Sequence, residues 1–286
     1  MRTLVTEIRL LSALLLSLLL LPSRGLDAQV GNRLFPPRAL MPDLLAGPRN
    51  PLTSAALFGV TRNPDQHGRG VEAEVSIGST LPVLLLAGTP QDHPVVVGLE
   101  AAAYARFALQ VLEREMVATD WFFTVPVILH HDHGWTRIRY FHTSSHMGDE
   151  YNRRFGDPGV NVSRDAVGVL TFRRLGDGVG GWAGARYGYN VHPDDDRRWV
   201  LRAGAQAEGA ERGPGRLRPF LAADVEMDQE GGMRPRTEVR AGIWLPEVAG
   251  RPAVRLSLVA LHGPTPLGQF RFRSTTQIGL SLQGSL

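Results

Sequence analysis

The sequence predicts an all-β protein: a transmembrane antiparallel up-and-down β-barrel of about 12 strands, with about 10 as the lower count. From residue 71 onward, apolar side chains alternate with polar or small ones, which is the period of a β-strand. Clusters of Gly, Pro and Asp separate these runs, as turns do. The runs reach the roughly 9 to 11 residues of a membrane-spanning strand, whereas soluble strands average about 5 to 6. A periplasmic sandwich or jelly roll is the alternative.

The composition excludes several classes of protein. The chain has 286 residues, a formal net charge of +3 and no cysteine. Because so small a charge provides no strongly basic surface, we expect no nucleic-acid partner. Without cysteine there is no disulfide framework, thiolate metal site or lipoprotein anchor. The 32 Gly and 20 Pro residues also disfavour long helices.

The first 50 residues form two segments ahead of the alternating region. Residues 1–28 carry Arg2 and Arg9, then an apolar run and a polar stretch, which is the layout of a secretory signal peptide. The apolar run, residues 10–21, is shorter than the about 20 residues of a transmembrane helix. Residues 29–50 are predicted to be a periplasmic N-terminal lead-in, and residues 51–286 the barrel. We therefore expect the protein in the cell outer membrane.

At least six of the predicted strands have one face that is almost free of charge. In the last one, Ile278, Leu280 and Leu282 lie on one face, opposite Gln277. The predicted strands cover residues 52–62, 71–86, 95–109, 121–130, 135–146, 161–172, 182–191, 198–209, 217–228, 236–245, 254–261 and 270–283. The polar faces carry both signs of charge, as a small barrel lumen does. Replacing Arg240 on such a face with Gln is expected to be mild.

Two further features orient the predicted barrel. With both chain ends in the periplasm, the long connection at residues 146–160 lies outside, as the long loops of such barrels do. The tryptophans near the strand ends are expected to form interfacial girdles. They are Trp121, Trp135, Trp182, Trp199 and Trp244.

The candidate chemistry lies where a predicted strand meets this outer connection. If Arg137 and Arg139 point into the lumen, His142 and Ser144 face lipid, because side chains alternate along a strand. An imidazole and a hydroxyl on one face can act as base and nucleophile, provided that a third group orients the imidazole. Polar side chains that face lipid are energetically costly, which favours a function. The other interpretation is that these residues simply reach the lipid headgroups.

The next predicted strand offers candidates for the third group. Asn161, Ser163 and Asp165 share one face of that strand. Residues on this face can pair with side chains of the preceding strand.

Part of this region resembles a known family. The stretch 142–151 reads His-Thr-Ser-Ser-His-Met-Gly-Asp-Glu-Tyr, with Asn-Val-Ser-Arg at 161–164 and Leu-Phe-Pro at 34–36 through Leu-Leu-Ala-Gly-Pro-Arg at 44–49. Together these segments resemble a family of bacterial outer-membrane proteins described as a domain of unknown function. The resemblance spans most of the mature chain. It implies a barrel and no particular activity.

The placement of His142 and Ser144 is also similar to that in outer-membrane phospholipase A. That family is a twelve-stranded barrel whose lipid-facing His-x-Ser pair is completed by an asparagine on the neighbouring strand. Its pattern is Asn-His-x-Ser-Asn-Gly, whereas here Phe141 precedes the histidine and Ser145 and His146 replace Asn-Gly. The resemblance implies that Ser144 is the nucleophile, His142 the base and Asn161 the orienting group. It implies a calcium ion as cofactor, and a lipopolysaccharide deacylase of the His-x-Ser type is a related alternative.

The residues themselves assign no cofactor and no metal. The His-His-Asp-His run at 130–133 has a metal-like composition, but we interpret it as a polar hairpin. Three functions remain: an acyl-ester hydrolase at the outer leaflet, a small passive pore or transporter, and a structural barrel without activity. The expected partners are outer-membrane lipids and lipopolysaccharide, and no oligomeric state is assigned.

Overall fold

A computed structural model describes residues 32–62, 70–86, 93–110, 114–156, 159–194, 197–211, 217–245 and 253–284. The predicted signal peptide, residues 1–28, lies outside this part of the chain. Within it, no helix is long and apolar enough to span a membrane.

The described residues form a closed barrel of twelve antiparallel strands. The strands are β1 (Thr53–Arg62), β2 (Gly70–Leu85), β3 (Val95–Ala108), β4 (Met116–His131), β5 (Gly134–Met147), β6 (Val162–Gly176), β7 (Val179–His192), β8 (Trp199–Glu208), β9 (Arg218–Asp228), β10 (Pro235–Trp244), β11 (Val254–Pro264) and β12 (Ser274–Gly284). Each strand pairs with the next in sequence, and β1 pairs with β12 to close the barrel. A two-residue strand, Arg33–Leu34, pairs with β2. This confirms the predicted fold and the higher of the two strand counts.

The two faces of each strand meet different surroundings. Leu221, Leu258 and Ile278 lie on the outer surface and are more than half exposed, whereas Arg255 and Gln277 are buried in the lumen. An apolar outside and a polar inside are typical of barrels that span a lipid bilayer. The alternation in the sequence therefore predicts correctly which face points outward.

Charged side chains fill much of the lumen as ion pairs. Arg106 Nη2 lies 3.0 Å from Glu74 Oε2, and Arg240 Nε lies 2.6 Å from Glu238 Oε1. Buried charges are tolerated when they are paired and hydrogen-bonded.

The N-terminal segment, expected to be a periplasmic lead-in, enters the barrel. Residues 41–50, here called the lumen plug, contribute Met41, Leu44 and Leu45, all of which are buried. The Gly47 N–H donates to Glu238 Oε1 at 2.8 Å, and the Leu45 N–H donates to Gln206 Oε1 at 3.2 Å. The polar lumen thus satisfies the backbone of a segment that has no secondary structure of its own.

The plug also explains the position of two tryptophans. Trp135 and Trp182 are only 5% and 3% exposed and pack in one cluster with Met41 and the plug leucines. The expectation that they belong to interfacial girdles is therefore wrong, because the plug gives them an apolar partner inside the lumen. Trp121 and Trp199 do lie on the outer surface, 54% and 50% exposed.

The two longer connections at one end of the barrel pack together and cover it. We call this end the α1 end. Helix α1 (Asp149–Phe155) lies in the β5–β6 connection, and a short 3-10 helix (Gly268–Phe270) lies in the β11–β12 connection. Tyr151, Leu267 and Phe270 pack together there and are buried. Because Phe270 belongs to this cluster, the last strand begins at Ser274 and not at the predicted residue 270.

Candidate functional site

His142 and Ser144 lie on the outer face of β5, close to the α1 end. Arg137 and Arg139 of the same strand point inward, with side chains 4% and 11% exposed. The register with β6 sets His142 opposite Asp165 and Ser144 opposite Ser163. Because side chains alternate along β5, the arginines point into the lumen and His142 and Ser144 point outward.

Asp165 is the hydrogen-bond partner of the imidazole. His142 Nδ1 lies 2.7 Å from Asp165 Oδ1. Tyr140 Oη donates to the same carboxyl oxygen at 2.8 Å, and Asn190 Nδ2 donates to the other oxygen at 2.8 Å. The Asp165 side chain is only 4% exposed, whereas that of His142 is 43% exposed. A buried, fully hydrogen-bonded carboxylate therefore holds an accessible imidazole in one orientation.

This arrangement has the chemistry of a charge-assisted base. A carboxylate that accepts from Nδ1–H fixes the tautomer, so that Nε2 can take a proton from a nearby hydroxyl. Ser144 is two residues further along the same face of β5. Among the described residues, Ser144 makes no hydrogen bond with His142, so the structure shows a formed histidine–aspartate pair with the serine as its neighbour on the same outer face.

Asn161, expected to orient the imidazole, precedes the first residue of β6 and is exposed. The residue opposite His142 is Asp165, four positions further on. Sequence reasoning placed both on one face of the strand, but it could not fix the register. That register depends on the β5–β6 connection, which contains α1.

Aromatic side chains surround the pair on the outer surface. Trp121 of β4 lies opposite Ser144, and Phe123 lies opposite His142. Further round the barrel, the rings of Tyr187 and Trp199 are 5.0 Å apart. Aromatic residues on the outside of a membrane barrel are concentrated at the lipid–water interfaces.

The residues near Ser144 do not fit a calcium site. Calcium takes six to eight oxygen ligands, several of them from carboxylates. Asp165 is already held by three donors, and Asp120 on the inner side accepts from Ser145 and Arg49. Among the described residues, no group of three or more His, Asp or Glu side chains could hold a metal ion.

The other histidine cluster lies in the β4–β5 turn. His130 Nε2 is 2.8 Å from the Leu40 carbonyl oxygen, and Asp132 is bonded to His93. These contacts agree with the interpretation of a polar hairpin.

The comparisons with known proteins agree with this fold. The family model described as "Protein of unknown function (DUF1207)" matches residues 27–284. Outer membrane phospholipase A from Escherichia coli has 13% identity and a TM-score of 0.56, covering 86% of this chain and 95% of that one. The Salmonella typhi enzyme, a dimer with bound calcium, has 13% identity and a TM-score of 0.55, covering 82% and 92%. At these identities the likeness shows the fold alone.

Two further results complete the comparison. A KdgM porin covers 82% of this chain and 99% of its own, but at 9% identity its TM-score is only 0.43. No curated protein matches the chain in sequence.

Proposed function

Since the chain belongs to the DUF1207 family of proteins of unknown function, we propose from its outward-facing site that it is a serine acyl-ester hydrolase of the outer membrane. Its substrates would be phospholipids or lipopolysaccharide in the outer leaflet. The observation that carries this proposal is the 2.7 Å contact between His142 Nδ1 and Asp165 Oδ1, two residues from Ser144 on the same face of β5.

The position of the site supports a lipid substrate. It places a buried carboxylate, an imidazole and hydroxyl groups on an outer surface that carries many apolar side chains, and such polar groups are costly against lipid. Trp121 and Phe123 flank the two central residues and provide apolar surface for an acyl chain. An enzyme that acts on a diffusing soluble ester would gain nothing from this location.

The histidine–aspartate pair supports a two-step acyl transfer. As Ser144 Oγ attacks the ester carbonyl carbon, its proton passes to His142 Nε2, and the negative Asp165 stabilises the imidazolium that forms. The leaving alcohol takes that proton, and the acyl group remains on Ser144. Water then attacks the acyl-enzyme, with His142 again acting as base, and a free fatty acid is released. Tyr140 and Asn190 act as positioning residues because they hold the Asp165 carboxylate.

The filled lumen weighs against a pore. The plug residues and the ion pairs occupy interior space that a channel would need for water. A barrel without activity is the outcome that remains if the hydrolase proposal fails.

Fatty-acid release from detergent-dispersed phospholipid and from lipopolysaccharide tests the proposal. We expect Ser144→Ala to lower the rate by several orders of magnitude, because removing the nucleophile leaves only residual catalysis. Ser163→Ala is the matched control, since Ser163 lies directly across the strand pair from Ser144. Both variants should keep heat-modifiable migration on gels. A wild-type protein that releases no fatty acid from either substrate would overturn the proposal.

A further inference from the structure

The lumen contains a cavity of about 180 Å³ between the plug and the α1 end. Its walls include the guanidinium groups of Arg137, Arg139 and Arg186. We propose that this cavity binds a small anion that carries phosphate or carboxylate groups. This inference does not rest on the hydrolase: Ser144 is among the lining residues, but His142 is not, since it lies on the face of β5 opposite Arg139.

The arginines on this wall outnumber the acids that neutralise them. Arg137 Nη1 and Arg139 Nε lie 3.6 and 3.4 Å from one carboxylate, that of Glu100, which is 1% exposed. Arg186 makes no hydrogen bond or ion pair with a described residue and instead stacks over the Phe141 ring, 5.3 Å from its centroid. Arg137 and Arg139 therefore share one carboxylate, and Arg186 interacts only through space with Glu226, which is itself paired with Arg236. Charge that is withdrawn from water in this way is stabilised by a counter-ion.

The other acids around the cavity each already have a hydrogen-bond partner, and Glu226, which interacts through space with Arg186, is paired with Arg236. These contacts are Glu226 with Arg236, Glu230 with Arg164 and Arg271, Asp120 with Arg49, and Asp228 with the Glu230 backbone N–H. The cavity lining as a whole therefore carries more arginines than acids, and Arg186 is one that has no carboxylate of a described residue within hydrogen-bond distance.

A glycine keeps the space between the arginines open. Gly168 of β6 lies in register between Arg139 of β5 and Arg186 of β7. A Cβ at this position would lie 3.0 Å from Phe141 Cε2 and 3.1 Å from the Ala185 carbonyl oxygen. Any larger residue would fill the gap across which the two guanidinium groups face the cavity.

The chemistry and the size of the cavity define the ligand class. A guanidinium group donates two parallel N–H bonds to a phosphate or a carboxylate, and it stays charged at every accessible pH. The volume accommodates a single phosphate or a short dicarboxylate. Whether the anion comes from a phosphate or a carboxylate source is settled by testing both.

Calorimetric titration of the full chain in detergent, with inorganic phosphate and with succinate, tests the proposal. At constant ionic strength we expect the wild type to bind at least one of these anions. Arg186→Gln should weaken binding at least tenfold, and Arg186→Lys should weaken it less. Arg186 is the residue of choice because it has no ion pair within the described structure to lose.

Arg153→Gln is the matched control, because its side chain lies on α1, 71% exposed and away from the lumen. It should bind as the wild type does. Binding of neither anion, or equal affinity in the wild type and Arg186→Gln, would overturn the proposal. Fatty-acid release by the same variants separates this result from the hydrolase, since Arg186→Gln should retain it.

Discussion

Replacing Gly47 with valine should release the lumen plug and open the barrel. Gly47 has φ +123°, a backbone conformation that L residues rarely adopt. A Cβ there would lie 1.9 Å from Arg202 Nη2, which donates to the Ala46 carbonyl oxygen. The N–H of Gly47 also donates to the buried Glu238 carboxylate at 2.8 Å. A side chain at this position therefore strains the backbone and displaces two anchors of the plug.

The size of the effect follows from two typical contributions. A non-glycine residue in this backbone region costs about 1–3 kcal/mol. Loss of a hydrogen bond to a charged group costs about 1.5–3 kcal/mol more. The docked plug should therefore be destabilised by about 3–6 kcal/mol. Since about 1.4 kcal/mol is a factor of ten, the ratio of released to docked plug should rise by about 10² to 10⁴.

Single-channel recording in planar bilayers measures this ratio as the fraction of time spent open. We expect a closed wild-type barrel, a markedly higher open fraction for Gly47→Val, and a permanently open barrel when residues 41–50 are deleted. Gly232→Val is the matched control: Gly232 also has a positive φ, +71°, but nothing lies within 4 Å of its Cβ position and it does not touch the plug. If the deletion variant is folded and conducts no more than the wild type, the plug does not close the lumen.

The remaining predictions concern the proposed hydrolase site, the strands of the barrel and the β4–β5 turn. Asp165→Asn should lower the hydrolysis rate by about 10⁴, as loss of the orienting carboxylate does in other triads, whereas Asn161→Ala should leave it nearly unchanged; the reverse result would return the orienting role to Asn161. Leu221→Arg on the apolar outer face should cost about 2–4 kcal/mol in urea unfolding from lipid vesicles, and an unchanged midpoint would contradict a membrane-facing surface. In the same assay Arg240→Gln should cost about 3–5 kcal/mol, because it leaves the buried Glu238 without its guanidinium partner at 2.6 Å; a mild effect would show that this ion pair contributes little. His93 bonds to the Asp132 carboxyl in the β4–β5 turn and holds the pKa of that group below its usual range. A depressed acid pKa stabilises the folded state at neutral pH and ceases to do so as the pH falls through the folded value, so the stability gap between wild type and Asp132→Asn should close on acidification; a gap that widens would reverse this reasoning.

The strands of the barrel and the direction of their side chains could be predicted, because both depend on the sequence pattern within each strand. Alternation along one strand is decided by neighbouring residues, so the outward direction of Leu221 or Ile278 follows from a few positions on either side. The strand count follows from the turns between them. For the same reason His142 and Ser144 could be placed on the outer face.

The interior could not be predicted, because its contacts join distant parts of the chain. Nothing within residues 41–50 indicates that this segment is buried, since its partners are residues such as Glu238, 191 positions away from Gly47. The sequence predicts a mild effect for Arg240→Gln because it does not reveal that Arg240 pairs with Glu238, the carboxylate that accepts from the plug. Asp165 could not be singled out from Asn161 and Ser163 as the partner of His142, because the three share one face and only the β5–β6 register decides which of them lies opposite.

The lumen plug also determines an order of events in the formation of the protein. The carbonyl oxygen of Leu44 accepts from Arg255, 211 residues later in the chain, and Leu45 reaches Gln206 across 161 residues. Neither contact can form until those later strands have been synthesised and paired, so this early segment is among the last to dock. After the strands have paired and before the plug docks, the barrel encloses a hydrated, arginine-rich interior. If the plug is missing or altered, all strands of the barrel would be paired, but the lumen would remain accessible to water and ions from the end opposite α1.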